Sequence, residues 1–254
     1  MAALKEVVDF LDKLLDINST PGDASNNGLQ VEASEDIRTA VFSVDASMEL
    51  FEKAAAVNAD FIFVHHGMSW GAEPRRFNGP VAARLKLLFA NRMSLYGAHL
   101  PLDAHPEIGH NALLASYAGL ADRKGCFEYS GVQVGVCGRL SKKMSVAELA
   151  AVYEHKLDCQ AEIFGTPERE LEKISVVSGG AGLGGLMDAF CHGVDCFITG
   201  EVDHTMYPWI KETGVDVIKL GHYKSEIPGV AAVMEELGRK FDIACDFVDV
   251  PTGL

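Results

Sequence analysis

The sequence lacks a long apolar run and a cluster of basic side chains. No stretch reaches eighteen uncharged apolar residues, so no membrane-spanning helix is expected. Acidic side chains interrupt the first helix-like segment where a secretory signal needs an apolar core, so no signal peptide is expected. Lys and Arg number 22 against 36 Asp and Glu, for a formal charge of −14. Direct binding to nucleic acid or to an anionic membrane is therefore not expected.

Closely paired cysteines are also missing. The six cysteines contain no C-x-x-C motif and are scattered along the chain, at Cys126, Cys137, Cys159, Cys191, Cys196 and Cys245. Scattered thiols are typical of buried side chains in a reducing compartment. We therefore expect a soluble, cytoplasmic protein.

What the sequence does contain is a regular alternation of strand and helix patterns. With 254 residues, 48% of them hydrophobic, it can form one large or two small domains. Apolar runs predict strands at 38–44, 61–64, 94–98, 131–139, 173–178, 195–199, 215–220 and 241–250. Amphipathic spacing predicts helices near 47–57, 80–92, 107–119, 145–157, 184–192, 204–213 and 228–239. The pattern predicts an α/β fold with mixed, largely parallel sheets.

An internal echo suggests that this α/β fold contains two related domains. Ser43 precedes Asp60 by 17 residues, and Ser178 precedes Asp195 by the same 17, with similar apolar residues following each aspartate. Two ordinary βαβ units could also show this resemblance by chance.

Reactive side chains follow four of the predicted strands. Ligands of open α/β sheets bind past the carboxyl ends of the strands, so these positions are candidates for a site. Imidazole and carboxylate suit Zn, Fe, Mn, Ni or Co, and the absence of thiolates argues against a closed structural zinc site. The four segments are His65-His66, His99 to Asp103, Gly200 to His204, and His222 to Glu226.

Each of these signals has an ordinary structural alternative. Adjacent histidines can cap a strand, Glu226 can be a helix-capping partner, and Asp103 can be a turn residue. We expect His105 and His110 to be solvent-exposed or capping residues. Four separate strand ends with metal-binding groups nevertheless favour a metal site over chance.

The same residues resemble the NIF-three-like family, also known as GTP cyclohydrolase I type 2 homologues or dinuclear metal-centre hexamers. The resemblance covers nearly the whole chain. It rests on Asn27-Gly28-Leu29-Gln30-Val31, His65-His66, His99-x-Pro101-Leu102-Asp103, Thr199-Gly200-Glu201 and Gly221-His222-x-x-x-Glu226. Two departures are Gly67, where many relatives have proline, and Tyr223, where many have histidine.

The resemblance implies two divalent metal ions inside a ring-shaped homohexamer. It implies that Asp103 bridges the ions and that His99 lies close by, facing the substrate or orienting a ligand. The implied ligands are His65, His66, Asp103, His222 and Glu226. The corresponding domains are a metal-binding α/β domain of residues 1–120 with 221–254, and a second α/β domain of residues 121–220.

Five ligands cannot fill the coordination positions of two metal ions, which favours a reactive centre and hydrolysis as the reaction class. Glu201 is the candidate general acid or base, with capping of the next helix as the alternative. The resemblance implies GTP cyclohydrolase I type 2-like activity on a small, anionic nucleotide or cyclic amide. A metal carrier without catalysis would use the same ligands.

A glycine-rich segment offers a rival interpretation. Residues 180–185, from Gly180 to Gly185, fit G-x-G-x-x-G, follow a predicted strand and open a predicted helix. This context is typical of dinucleotide binding, so an NAD-dependent oxidoreductase is the third alternative. That function would leave the histidine pair unexplained, and a tight turn, with or without a substrate phosphate nearby, is the favoured interpretation.

Overall fold

The computed structural model of the protein describes residues 1–72 and 76–254. The chain forms two compact units, here called the first unit (residues 1–102 with 229–250) and the second unit (residues 103–228 with 251–254). The domain limits predicted from the sequence, residues 1–120 with 221–254 and residues 121–220, remain a prediction. Within the described residues, every helix is too short or too polar to cross a membrane.

The described part of the chain contains thirteen strands and ten helices. The strands are β1 (Ala2–Ala3), β2 (Gly28–Val31), β3 (Asp36–Ile37), β4 (Thr39–Asp45), β5 (Phe61–His66), β6 (Ser94–Gly97), β7 (Leu120–Tyr129), β8 (Val132–Ser145), β9 (Glu162–Phe164), β10 (Glu170–Val177), β11 (Cys196–Thr199), β12 (Asp216–Lys219) and β13 (Ala244–Phe247). The helices are α1 (Leu4–Leu14), α2 (Met48–Ala56), α3 (Gly79–Ala90), α4 (Leu100–Asp103), α5 (His110–Tyr117), α6 (Val146–Leu157), α7 (Gly182–Cys191), α8 (Met206–Thr213), α9 (His222–Ser225) and α10 (Ile227–Lys240).

The first unit is built on a five-stranded sheet in the order β13-β4-β5-β6-β2. The first four strands of this order are parallel, and β2 is antiparallel to β6. Its centre is aromatic: the Phe63 ring lies 5.6 Å from that of Phe42 and 5.7 Å from that of Tyr96, and all three residues are buried. This core holds the carboxyl ends of β5 and β6, where the candidate histidines follow.

The second unit is built on a six-stranded sheet in the order β7-β8-β10-β11-β12-β9. The central strands β10, β11 and β12 are parallel, and the outer pairs are antiparallel. The α/β fold class with mixed sheets is confirmed. Parallel pairing dominates the first unit but only the centre of the second.

Five strands form where the sequence pattern predicted none, namely β1, β2, β3, β7 and β9. Strand β2 begins at Gly28 and is only four residues long. Residues 121–125 of strand β7 are exposed, so the strand has no apolar run from which it could be predicted. It pairs with β8 through a two-residue turn at Ser130 and Gly131, which both have positive φ angles, as a tight hairpin requires.

The internal echo corresponds to a hydrogen-bond pattern that both units share. Asp60 Oδ2 accepts backbone hydrogen bonds of 2.8 and 3.0 Å from the residues that begin β4. Asp195 Oδ2 accepts two bonds of 2.9 Å from the backbone of Glu172 and Lys173 in β10. In each unit, the aspartate that precedes the second parallel strand therefore fixes the first one.

Helix α6 begins with a capping box formed by Ser145 and Glu148. Ser145 Oγ accepts a 3.2 Å bond from the Glu148 backbone, and Glu148 Oε2 accepts a 2.7 Å bond from the Ser145 backbone. Because Ser145→Ala leaves a backbone N–H of the first turn without this acceptor, we expect it to lower the free energy of unfolding by about 1 kcal/mol in urea titrations. Ser145→Thr keeps the oxygen and should cost less; equal losses in both variants would contradict the capping role.

Candidate metal centre

Three histidines come together at the carboxyl ends of β5 and β6 in the first unit. His65 and His66 end β5, and His99 lies two residues after β6. Their ring centroids are 4.5 to 5.7 Å apart, and ligand nitrogens of the three rings lie within 4.8 Å of one another. The parallel pairing of the two strands produces this cluster, because it places both ends at one edge of the sheet.

Each of these three imidazoles is oriented by a bond at Nδ1. His65 Nδ1 lies 2.9 Å from the Ala98 carbonyl oxygen, which can only accept, so this nitrogen carries the proton. His66 Nδ1 lies 2.8 Å from a carboxylate oxygen of Asp45, and His99 Nδ1 lies 2.8 Å from one of Asp23. This arrangement presents Nε2 as the ligand atom, as is usual for metal-binding histidines.

The Asn27 side chain secures the third of these pairs. Its Oδ1 accepts a 2.8 Å bond from the His99 backbone, and its Nδ2 donates a 2.8 Å bond to Asp23 Oδ2. Burial raises the pKa of Asp23, but hydrogen bonds from His99, Asn27 and the Ser25 backbone outweigh it and lower the pKa to about 2. Asp23 is therefore a fixed negative charge beside His99.

Gln30 fixes the loop that follows the histidine pair. Its Oε1 accepts bonds of 2.7 and 3.2 Å from the Met68 and Ser69 backbones, and its Nε2 donates a 2.9 Å bond to the Asn26 carbonyl. A Cβ on Gly67 would lie 2.3 Å from Gln30 Nε2, so this position accepts only glycine while Gln30 stays in place. The close approach of Gln30 thus explains the glycine at position 67.

In the second unit, Asp103 is held at the end of β10. This buried aspartate ends α4, and its Oδ1 accepts a 3.2 Å bond from Ser178 Oγ. Asn111 Nδ2 donates to the Asp103 carbonyl at 3.4 Å, and its Oδ1 accepts a 2.6 Å bond from the Ser178 backbone. The side chains of Ser178 and Asn111 therefore hold Asp103 in place, and an ordinary turn aspartate would not need these contacts.

His222 lies between two carboxylates. Its Nδ1 is 2.6 Å from Glu201 Oε1, and its Nε2 is 3.2 Å from Glu226 Oε1, four residues along the chain. Burial lowers the pKa of His222, but the hydrogen bonds and charges of Glu226 and Glu201 outweigh it and raise the pKa to about 9. The group thus offers an imidazole and a 3% exposed glutamate to a cation.

The glycine-rich segment closes around these carboxylates. Gly179 has a φ of +60°, and a Cβ there would lie 2.2 Å from Glu226 Oε1; a Cβ on Gly180 would lie 3.0 Å from Glu201 Oε2. Gly179 and Gly180 are therefore explained by the close approach of acidic side chains, whereas a Cβ on Gly185 would lie 2.6 Å from Ala181 Cβ and 2.9 Å from the Phe197 ring. The pyrophosphate of a dinucleotide would meet negative charge here, which removes the main support for an NAD-binding function.

Glu201 orients His222 instead of capping the next helix. The backbone N–H groups at the start of α8 donate to Asp203 Oδ1, at 2.7 Å from Thr205 and 3.3 Å from Met206. The capping alternative for Glu201 therefore has no support in the geometry. A half-exposed carboxylate that touches a candidate ligand can also reach a substrate.

The structure places one histidine differently from the sequence-based expectation. His105 is a capping residue, as expected, because its Nδ1 accepts from the Glu107 and Ile108 backbones. His110, expected at the surface or in a cap, is fully buried at the start of α5, with a ligand nitrogen within 4.8 Å of an Asp103 oxygen. A histidine that opens a helix has the same sequence context in both situations, so only its burial separates them.

The other residues missed by the sequence reasoning are Asp23, Asp45 and Asn111. Only Asp45 carried a usable signal: it ends β4 and lies beside His66 in the register of two parallel strands. The partners of Asp23 and Asn111 lie 76 and 67 residues away in sequence, so no local pattern relates them.

The donors in both units fit a divalent metal. They are imidazole nitrogens and carboxylate oxygens, which suit first-row divalent ions and Zn, and the imidazoles are already oriented. The histidine cluster of the first unit could hold a metal ion by itself.

Comparisons with known proteins show which family the chain resembles along its length. The family model described as Duf34/NIF3 (NGG1p interacting factor 3) matches residues 2–252. An Archaeoglobus fulgidus protein named GTP cyclohydrolase 1 type 2 homolog is 45% identical over 251 residues, 99% of each chain. Among solved structures, protein ybgI, described as of unknown function, has a TM-score of 0.90 and 34% identity, covering 99% of this chain and 100% of that one. TTHA1606 from Thermus thermophilus has a TM-score of 0.88 and 35% identity, with the same coverage. The chain therefore belongs to the DUF34/NIF3 family.

Proposed function

We propose that the protein is a dinuclear-metal-dependent hydrolase whose ligands are His65, His66, Asp103, His222 and Glu226. The observation that carries the proposal is the Nδ1 contact of each candidate imidazole with a carboxylate or carbonyl oxygen. Such partners fix the ring and raise the basicity of the ligand nitrogen. A purely structural role for these histidines does not explain why Nδ1 is held by an oxygen atom at two separate sheet edges.

The remaining polar residues would then act on the substrate. Bound divalent ions would supply Lewis acidity and lower the pKa of nearby water toward neutrality. Asp103, held by Ser178, would be the carboxylate that both ions share. Glu201 accepts a proton at Oε2, because its Oε1 is bound to His222, and His99 faces the substrate with its ring fixed by Asp23.

The substrate class follows from charge and from the relatives' names. Two divalent ions outweigh the two carboxylates proposed to bind them, but Asp23, Asp45 and Glu201 add negative charge beside the histidines, and the protein carries a formal charge of −14. An anionic group would therefore bind at open coordination positions of the ions and not through the net charge of the site. A small anionic nucleotide or cyclic amide fits such a centre. GTP is the first substrate to test, because relatives are named GTP cyclohydrolase 1 type 2 homolog.

We extend the proposal to the assembly. By its family resemblance the protein is a homohexamer, which predicts a mass of about six times 27.4 kDa in solution. Light scattering coupled to gel filtration tests this directly. A monomer with unchanged metal content would contradict the hexamer and show that metal binding does not depend on assembly.

The test of the hydrolase compares apo and metal-loaded protein on GTP, other nucleotides and small cyclic amides. Hydrolysis that requires metal and disappears in Asp103→Ala supports the enzyme. Metal binding at two ions per subunit with every substrate unchanged would contradict hydrolysis and favour the second candidate function, a metal carrier.

The carboxylate that orients His66 offers a graded test. Asp45→Asn keeps the shape of the side chain but removes its charge, so we expect metal affinity to fall by about 10- to 100-fold in chelator competition. Asp9→Asn is the matched control, because Asp9 pairs with the exposed Lys5 in α1, away from the histidines. Equal affinity in both variants would contradict the orienting role of Asp45.

A further inference from the structure

Trp70 lies directly beside the histidine cluster of the first unit. Its ring centroid is 5.0 Å from that of His99, in an edge-on arrangement with an interplanar angle of 68°, and 6.1 Å from that of His66. The indole therefore extends the aromatic wall formed by these two imidazoles. No role in metal binding follows for it, because an indole N–H can only donate.

The loop that carries Trp70 is rigidly held by polar contacts. Trp70 Nε1 donates a 2.8 Å bond to the Gly67 carbonyl, and Asn26 Nδ2 donates a 2.7 Å bond to Ser69 Oγ. Trp70 also forms an isolated antiparallel bridge with Ser25. With the Gln30 bonds to the same loop, these contacts fix the position of the indole before any ligand arrives.

Despite these contacts, 40% of the Trp70 surface is exposed. A tryptophan that served the core would bury its ring, as Phe63 and Tyr96 do in the neighbouring strands. Exposure alone is ordinary, since Trp209 is 41% exposed, but the Trp70 indole is also fixed by its hydrogen bond to Gly67 and lies beside the histidine cluster. A preorganised aromatic surface next to polar groups is typical of sites that bind planar ligands.

We propose that the Trp70 indole stacks against a planar heterocyclic ring of the substrate, such as a nucleobase. The proposal rests on the hydrolase function above and names the part of the substrate that the site recognises. A ring stacked on Trp70 would lie next to His99, the residue proposed to face the substrate. A sugar phosphate without a base would lack this contact, so the site would discriminate by the ring and not by charge alone.

Tryptophan fluorescence tests the inference without relying on activity. The chain has two tryptophans, Trp70 and the 41% exposed Trp209 of α8, so Trp209→Phe leaves Trp70 as the single emitter and Trp70→Phe is the matched control. The probes are guanosine 5′-monophosphate and ribose 5-phosphate, which differ by the base. We expect saturable quenching of Trp209→Phe by the nucleotide only, and none of Trp70→Phe.

A binding measurement by calorimetry complements the emission. We expect Trp70→Ala to weaken nucleotide binding by about 5- to 150-fold, the range for loss of one base-stacking contact, and Trp70→Phe to recover part of it. Equal binding of both probes, or unchanged nucleotide binding in Trp70→Ala, would overturn the inference. So would Trp70 emission that acrylamide cannot quench in the protein alone, because another copy of the chain would then cover the indole.

The metal content of the same samples separates this inference from the proposed function. Two metal ions per subunit without nucleotide quenching would overturn stacking and leave the metal proposal intact. Quenching by the nucleotide in a protein that takes up no metal would support stacking and overturn the hydrolase.

Discussion

Replacing Asp103 with asparagine should reduce the metal content of each subunit from two ions to at most one. Asparagine keeps the size of the side chain and can still accept the bond from Ser178, so the fold should persist. It removes the negative charge that a bridging carboxylate places between two cations. Since loss of an outer orienting residue alone costs about 10- to 100-fold in affinity, loss of the bridge should cost more than about 100-fold.

Elemental analysis after dialysis measures this loss, and thermal unfolding of the apo protein verifies the fold. Ser178→Ala is the companion variant, because it removes the hydroxyl that donates to Asp103 while the carboxylate remains. We expect it to retain both ions with affinity reduced by about 10-fold. Two firmly bound ions in Asp103→Asn would contradict the bridging role.

Adding a single methyl group at Gly179 should disrupt metal binding as severely. The Cβ of Gly179→Ala would lie 2.2 Å from Glu226 Oε1 and 3.2 Å from His222 Nε2, so two proposed ligands would have to move. The φ of +60° adds backbone strain of about 1–2 kcal/mol. We expect metal affinity to fall by more than about 100-fold and the apo protein to lose stability in urea titrations.

Gly193→Ala separates the clash from the strain. Gly193 has a φ of +61°, and among the described residues no atom beyond its chain neighbours lies within 4 Å of the added Cβ. This variant should lose about 1–2 kcal/mol of stability and keep its metal affinity. If both variants bound metal equally well, the close approach of Gly179 to the ligands would have no functional importance.

Much of the fold was predictable because buried strands have apolar runs in the sequence. The apolar runs of β4, β5 and β6 lie on the hydrophobic core of the first unit, and each was predicted within about two residues of its observed limits. Strand β7 has no such apolar run, because residues 121–125 face solvent. Its position is set by pairing with β8, which no window of sequence reveals.

The candidate site divides in the same way. The strand-end rule identified His65, His66 and the His222 to Glu226 pair, because their positions depend on local structure. The contacts that orient them were missed, although Glu201 was itself a candidate residue, because the contact of Asp45 with His66 and that of Glu201 with His222 each span 21 residues. Hydrogen bonds between loops arise from folding and have no periodic signature.

The glycine-rich segment shows why spacing alone can mislead. The G-x-G-x-x-G motif shows which positions lack side chains, but it does not show which groups lie next to those positions. In this protein the neighbours of Gly179 and Gly180 are the carboxylates of Glu226 and Glu201. A motif built for a phosphate would place hydrogen-bond donors there instead.

The metal content of the purified protein, measured with its mass in solution, tests the central claim most directly. We expect two divalent ions per subunit after dialysis. A protein that binds no divalent metal at any loading, but binds NAD(H) tightly, would contradict it.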